Sequence, residues 1–204
     1  IGWCAFDYNT HKDFGAGDRI CHHGVMDMFR EPKFAAFAYA SQCEPDDEVI
    51  LKPVTHWARG ERNMGGILPL MVLTNCDEIE IAFGEQSPRR FAPDRKRFAH
   101  LPHPPVILER EDFAADEFGA WGTLWESGMI TGLIGGEVVK TVRFAGDPVF
   151  DRLEVVPDCE EIEVHDEVRV AVRALDQAGN VLPYLFEPVS VEVTGPARLV
   201  GPPL

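Results

Sequence analysis

Alternation between apolar and polar positions is the strongest signal along the chain. Ile79, Ile81 and Phe83 alternate with Glu78, Glu80 and Ala82, which puts three apolar side chains on one face of a strand. The turn-forming runs "NCDE" and "GEQS" bracket that strand. Gly135-Gly136 lies between "MITGLI" and "EVVKTV", a strong two-residue hairpin signal. Further on, Val168, Val170 and Val172 alternate with charged or small residues, "DQAGN" turns the chain at 176–180, and Val189, Val191 and Val193 alternate again. The longest apolar run, Ile67 to Leu73, reads as a core strand, being far short of the ~18 residues of a membrane helix. Helical spacing occurs once, where Phe34, Phe37 and Ala38 recur after Pro32 and the pattern stops near Gln42. Residues 1–8, aromatic and small, predict a short strand buried on both faces, such as a parallel one.

These elements predict a mainly β protein in three parts. Residues 1–44 read as strand, long loop and helix. The polar, proline-containing "CEPDDE" opens a different character, and 45–148 predicts a β-sandwich. A second β domain, 149–204, has immunoglobulin-like alternation. A complete domain of that type takes about 100 residues, so its last strands are expected to be missing or supplied from elsewhere. Left as it is, it would expose apolar strand faces unless it paired with another chain, which leaves homo-oligomerisation open.

Composition narrows the partners. The 204 residues are 45% hydrophobic and 26% charged, with 18 glycines and 16 prolines spread along the chain, as expected of a globular protein rich in turns. A formal charge of -15 and a pI near 4.8 disfavour nucleic acid and anionic membrane. The cluster Arg89, Arg90, Arg95, Lys96 and Arg97 runs against that average; a solvated loop beside a strand is the simpler reading, an anion site the other. Five cysteines at irregular spacing, with no CxxC pair, predict free thiols and lean toward a reducing, cytoplasmic compartment. The chain opens on Ile1 with no charged-then-apolar leader, as expected of a processed chain or a piece of a longer one.

No self-contained catalytic constellation announces itself. A nucleophile needs a base within hydrogen-bond reach, and a metal needs about three convergent ligands. The densest candidate is Cys21-His22-His23, with His11, Asp13 and Asp18 in the same loop. Neighbouring side chains on extended backbone point opposite ways, so Cys21 and His23 are expected to share a direction that His22 does not. Zinc is one reading of this loop; polar residues satisfied locally or facing a cleft are the other. His100 and His103 flank Pro102 in a proline-stiffened segment and read as structural. Trp57, Trp121 and Trp125 lie among strand-like residues and predict core or edge packing. Trp3 differs, because it ends a strand with hydrogen-bonding groups close behind, an arrangement that suits a sugar ring.

Taken in order, "GWCAFDYNTH", "GDRICHHGVMDMFREPKFAAFAYASQ", "LTNCDEIEIAFGE", "HPPVILE" and "DQAGN" with "VEVTGPARLVG" resemble the C-terminal part of glycoside hydrolase family 2, the β-galactosidase and β-glucuronidase family. The resemblance implies that 1–44 is the last strand, loop and helix of a (β/α)8 barrel, followed by β-sandwich domains. It implies that Trp3 lines the sugar subsite, that the Trp3-Cys4 bond is where a non-proline cis peptide is expected, and that Asp7, His22, His23 and Arg30 lie on the cleft side. Substrate contact is thus assigned to Trp3, with Asp7, His22 and His23 as further candidates. Retaining glycosidases use two carboxylates roughly 5–5.5 Å apart, which in this family come from earlier barrel strands. A whole barrel takes ~250 residues, so no catalytic residue is expected within this chain, nor any metal or cofactor. The resemblance implies a parent enzyme that hydrolyses β-glycosides, most plausibly β-galactosides, with retention. The alternative from the residues alone is a non-catalytic β-sandwich for carbohydrate binding or assembly, which exposed Trp121 and Trp125 would favour.

Overall fold

The computed structural model describes residues 2–13, 17–57, 66–114, 116–117, 125–182 and 185–200. The chain divides into two compact units, Ile1–Asp147 and Pro148–Leu204.

Among its described residues the first unit has two larger antiparallel sheets and a two-stranded ribbon. One sheet has three strands in the order β3-β4-β7, namely β3 (Leu51–Pro53), β4 (Leu70–Thr74) and β7 (Val106–Leu108). The other has four in the order β6-β5-β8-β9, namely β5 (Glu78–Phe83), β6 (Arg89–Phe91), β8 (Gly128–Ile134) and β9 (Glu137–Phe144). Leu51, Leu70, Val72, Val106 and Leu108 of the first sheet share a core with Ile79, Ile81, Phe83 and Ile130 of the second. The alternation read at 78–83 holds, with Ile79, Ile81 and Phe83 buried inward. The hairpin holds as well: Gly135 and Gly136 take φ of 58° and 85°, the left-handed pair that a two-residue turn between twisted strands requires.

Trp57 is the centre of this core. It is 1% exposed, lies nearly parallel to Phe83 and Phe144 at centroid distances of 5.7 and 4.7 Å, and meets Trp125 edge-on at 6.4 Å. Its indole N–H donates to the Glu126 carbonyl at 3.0 Å, so the one polar atom of the ring is satisfied. Trp125 thus packs onto the core, as expected for it; Trp121 lies outside the described residues.

Residues 2–9 depart from the expected doubly buried strand. Only Asp7 is buried there. Phe6 makes a single parallel bridge to Met26, and β1 (Tyr8–Asn9) pairs antiparallel with β2 (Ile20–Cys21). A two-stranded ribbon has no second layer to bury it. The Trp3-Cys4 peptide is cis, at the bond the resemblance marked. The helix α1 (Phe34–Ala40) follows, starting two residues beyond Pro32 from an extended Lys33. Lys52 of β3 lies over the rings of Phe34 and Phe37 at 5.8 and 4.9 Å, and Phe34 meets His56 at 5.1 Å. Gln42 donates to the His103 carbonyl at 2.8 Å and accepts from its N–H at 3.2 Å.

In the second unit β10 (Phe150–Pro157) pairs antiparallel with β11 (Val170–Asp176). Asp176 Oδ1 accepts from the N–H groups of Ala178 and Asn180, which fixes the turn read from "DQAGN". The expected strand at 189–193 does not form: those residues carry no ladder, and Val191 and Val193 are exposed. Alternation alone supplies a face, not a partner for the backbone.

Candidate functional site

The region behind Trp3 is assembled from three stretches that main-chain bonds lace together. Val25 and Met26 N–H donate to the carbonyls of Cys4 and Ala5 at 3.1 and 3.0 Å, Asp7 N–H returns to the Met26 carbonyl at 3.0 Å, and Lys33 N–H reaches Val25 at 3.0 Å. Gly24 is where the loop lies directly on the strand end. A Cβ there would stand 2.2 Å from Asp7 N and 2.3 Å from the Phe6 carbonyl carbon, so only glycine fits this approach.

Asp7 is the polar centre. Its side chain is 5% exposed. Oδ1 accepts from Gly24 N–H at 2.8 Å and from Lys33 Nζ at 2.7 Å, while Oδ2 lies 3.5 Å from His22 Nδ1. The Lys33 contact, with help from the Gly24 amide and His22, outweighs burial and holds the carboxyl below its usual range. His22 is half-exposed and reaches Asp18 through Nε2 at 3.0 Å; that contact, then Asp7, raises the imidazole above its ordinary value. Lys33 Nζ also donates to the His22 carbonyl at 3.3 Å.

Cys21 and His23 do share a direction, with Sγ 3.3 Å from Nδ1, while His22 turns to the two aspartates. Among the described residues no group of three or more His, Cys, Asp or Glu could hold a metal, and all five cysteines are free thiols. Trp3 stands 77% exposed. Arg30, at a φ of 67°, lays its guanidinium 5.3 Å over the Phe6 ring. Tyr8 contacts Cys21 and Trp3, and the Cys21 contact raises its phenol. The structure therefore joins Asp7 to His22 and sets His23 against Cys21, while Trp3 stands exposed four residues before Asp7. Sequence reasoning missed Lys33, because its contact with Asp7 spans 26 residues and leaves no periodicity to read.

The basic cluster is neutralised at three of its five positions. Arg89 pairs with Glu117, Arg90 with Glu78 and Glu80, and Arg97 with Asp94 and Glu109; Arg89 and Arg90 belong to strand β6 and not to the loop expected for them.

No protein-family model matches the chain. Individual proteins do. A β-glycosidase from Bacteroides vulgatus aligns with 88% of this chain and 20% of its own, at a TM-score of 0.60 and 18% identity. A glycosyl hydrolase family 2 member from Bacteroides cellulosilyticus DSM 14838 covers the same 88% and 23% of itself, at 0.53 and 14% identity. At those identities the likeness is one of fold. The β-galactosidase of Rhizobium meliloti goes further, being 51% identical over 204 residues, 99% of this chain. Over its length the chain is thus similar to β-galactosidases, and the solved structures that share its fold include a glycosyl hydrolase family 2 member. The chain spans 27% to 29% of the length of two curated β-galactosidases that it matches.

Proposed function

We propose that this chain is the C-terminal portion of a retaining, β-galactosidase-like family 2 glycosidase that hydrolyses terminal β-glycosides through a covalent glycosyl-enzyme. In this reading residues 1–44 supply the last strand, loop and helix of the (β/α)8 catalytic barrel, 45–148 a β-sandwich, and 149–204 an immunoglobulin-like domain. Trp3 offers its indole face to the C–H groups of the sugar, and His22 and His23 offer polar atoms to its hydroxyls. Both catalytic carboxylates lie upstream, so the chain alone turns nothing over.

The observation that carries this is the end-to-end 51% identity to a β-galactosidase. The exposed Trp3 beside a loop pinned from behind agrees with it. Exchanging the matching stretch of the Rhizobium meliloti enzyme for this chain tests it with nitrophenyl β-D-galactoside. The chimaera is expected to hydrolyse the substrate, Trp3→Ala within it to lose most of kcat/KM, and the chain by itself to stay at blank. An inactive, folded chimaera, or hydrolysis by the chain alone, would count against the reading.

A further inference from the structure

Asp7 is the cleft-side candidate least able to meet a ligand. With 5% of its side chain exposed, Oδ1 is occupied by Gly24 N–H and Lys33 Nζ, and Oδ2 faces His22. We propose that Asp7 is a positioning residue: clamped by Lys33, its carboxylate fixes the His22–Gly24 turn against the Phe6–Asp7 backbone that follows Trp3. The proposal rests on the reading of Trp3, His22 and His23 as sugar contacts, and changes the part Asp7 plays among them.

Three features support it. The carboxylate joins stretches 17 and 26 residues away in sequence, so no local turn could do its work. The contact at Gly24 has no slack, because even a methyl group would collide with the Asp7 backbone. Lys33 closes the arrangement from the other side, as one ammonium donates to Asp7 and to the His22 carbonyl. A charged acceptor with two charge-assisted or main-chain donors gives both strength and direction, and a displacement of about 1 Å in a supporting group is enough to spoil a bound geometry. The groups that face His22 are Asp7 and Asp18, with Lys33 on its carbonyl.

Asp7→Asn keeps the shape and removes the charge; Lys33→Met removes the clamp, and Lys33→Arg keeps its charge. In the 204-residue chain, NMR would follow Gly24 amide exchange and the His22 titration, with the amides of Ile79 and Ile130 reporting that the sandwich remains folded. Asp7→Asn and Lys33→Met are expected to speed Gly24 exchange by about tenfold or more, Asp7→Asn to lower the His22 midpoint, and Lys33→Arg to retain the original protection. In the chimaera, both damaging variants are expected to raise KM for the galactoside by more than they lower kcat, with Lys33→Arg restoring it. Unchanged Gly24 exchange and His22 midpoint would overturn the proposal, as would an altered tie with an unchanged KM. A chimaera that never cleaves the galactoside counts against the proposed function, and the NMR arm then decides the tie by itself.

Discussion

Gly128→Ala tests the account of the core most sharply. A Cβ at Gly128 would stand 2.0 Å from Trp57 Cζ2, 2.6 Å from Cη2 and 2.7 Å from Cε2. Carbon atoms pack at about 3.5–4.0 Å, so the indole would have to retreat by roughly 1.5–2 Å. It has nowhere to go, held between Phe83 and Phe144 and bonded to the Glu126 carbonyl. Moving it loses a hydrogen bond of about 1 kcal/mol and loosens aromatic contacts of about 0.5–1.5 kcal/mol each. A loss near 3 kcal/mol agrees with the upper range for overpacked cores, about 1–3 kcal/mol. For a unit of this size that lowers Tm by roughly 6–12 °C. All four tryptophans precede residue 148, so fluorescence during guanidinium titration reads the first unit alone. The midpoint is expected to fall with little change in slope, and Trp57→Phe, a smaller ring, is expected to recover part of the loss when combined with Gly128→Ala. An unchanged midpoint for Gly128→Ala, or additive losses in the double variant, would refute the packing argument.

Other outcomes follow from the same geometry. Asn75→Ala is expected to cost about 3 kcal/mol in urea titration, since the buried carboxamide accepts from Ile50 N–H and donates to the Cys43 and Glu48 carbonyls; Asn75→Asp, which turns a carboxylate toward two carbonyl oxygens, should cost more. Gly136→Ala is expected to cost about 1–2 kcal/mol through backbone strain alone, because a Cβ there meets nothing within 4 Å; Gly136→Asn should cost less. His22 has its pKa raised from 6.5 by Asp18 and Asp7, so its contribution to stability is fully present below 6.5 and lost as pH rises through the raised value. Asp7 and Asp18 have theirs lowered from 3.8, so their contribution is present above 3.8 and lost as pH falls through the lowered values. Denaturation followed as pH rises above 6.5 should therefore show a decline that His22→Gln removes.

How much of this was legible in the sequence depended on the range of the interactions. The strand at 78–83 and the Gly135-Gly136 turn are local patterns, and the chain displays both. The three-residue strands β3, β6 and β7 are too short to show a period, and they exist because neighbours pair with them. The Val189–Val193 alternation misled for the converse reason, since a pattern alone supplies no partner for the backbone. In the site, Cys21 and His23 share a direction as expected, yet His22 and His23 lie in a turn beyond β2, so the turn and not an extended backbone sets it. Lys33 and the fit at Gly24 were not legible, because both depend on the fold bringing distant segments together.

The join between the helical segment and the sandwich has a practical consequence. Composition suggests a seam at "CEPDDE", yet Asn75 grips the carbonyls of Cys43 and Glu48 on either side of it, and Gln42 is bonded to His103 in both directions. A sandwich cut free at residue 45 would leave the buried Asn75 amide one acceptor short and strip the phenyl cover from Lys52. The visible punctuation of the chain is a poor guide to where it can be severed; a stable isolated sandwich would have to keep the helix or replace Asn75 and Lys52.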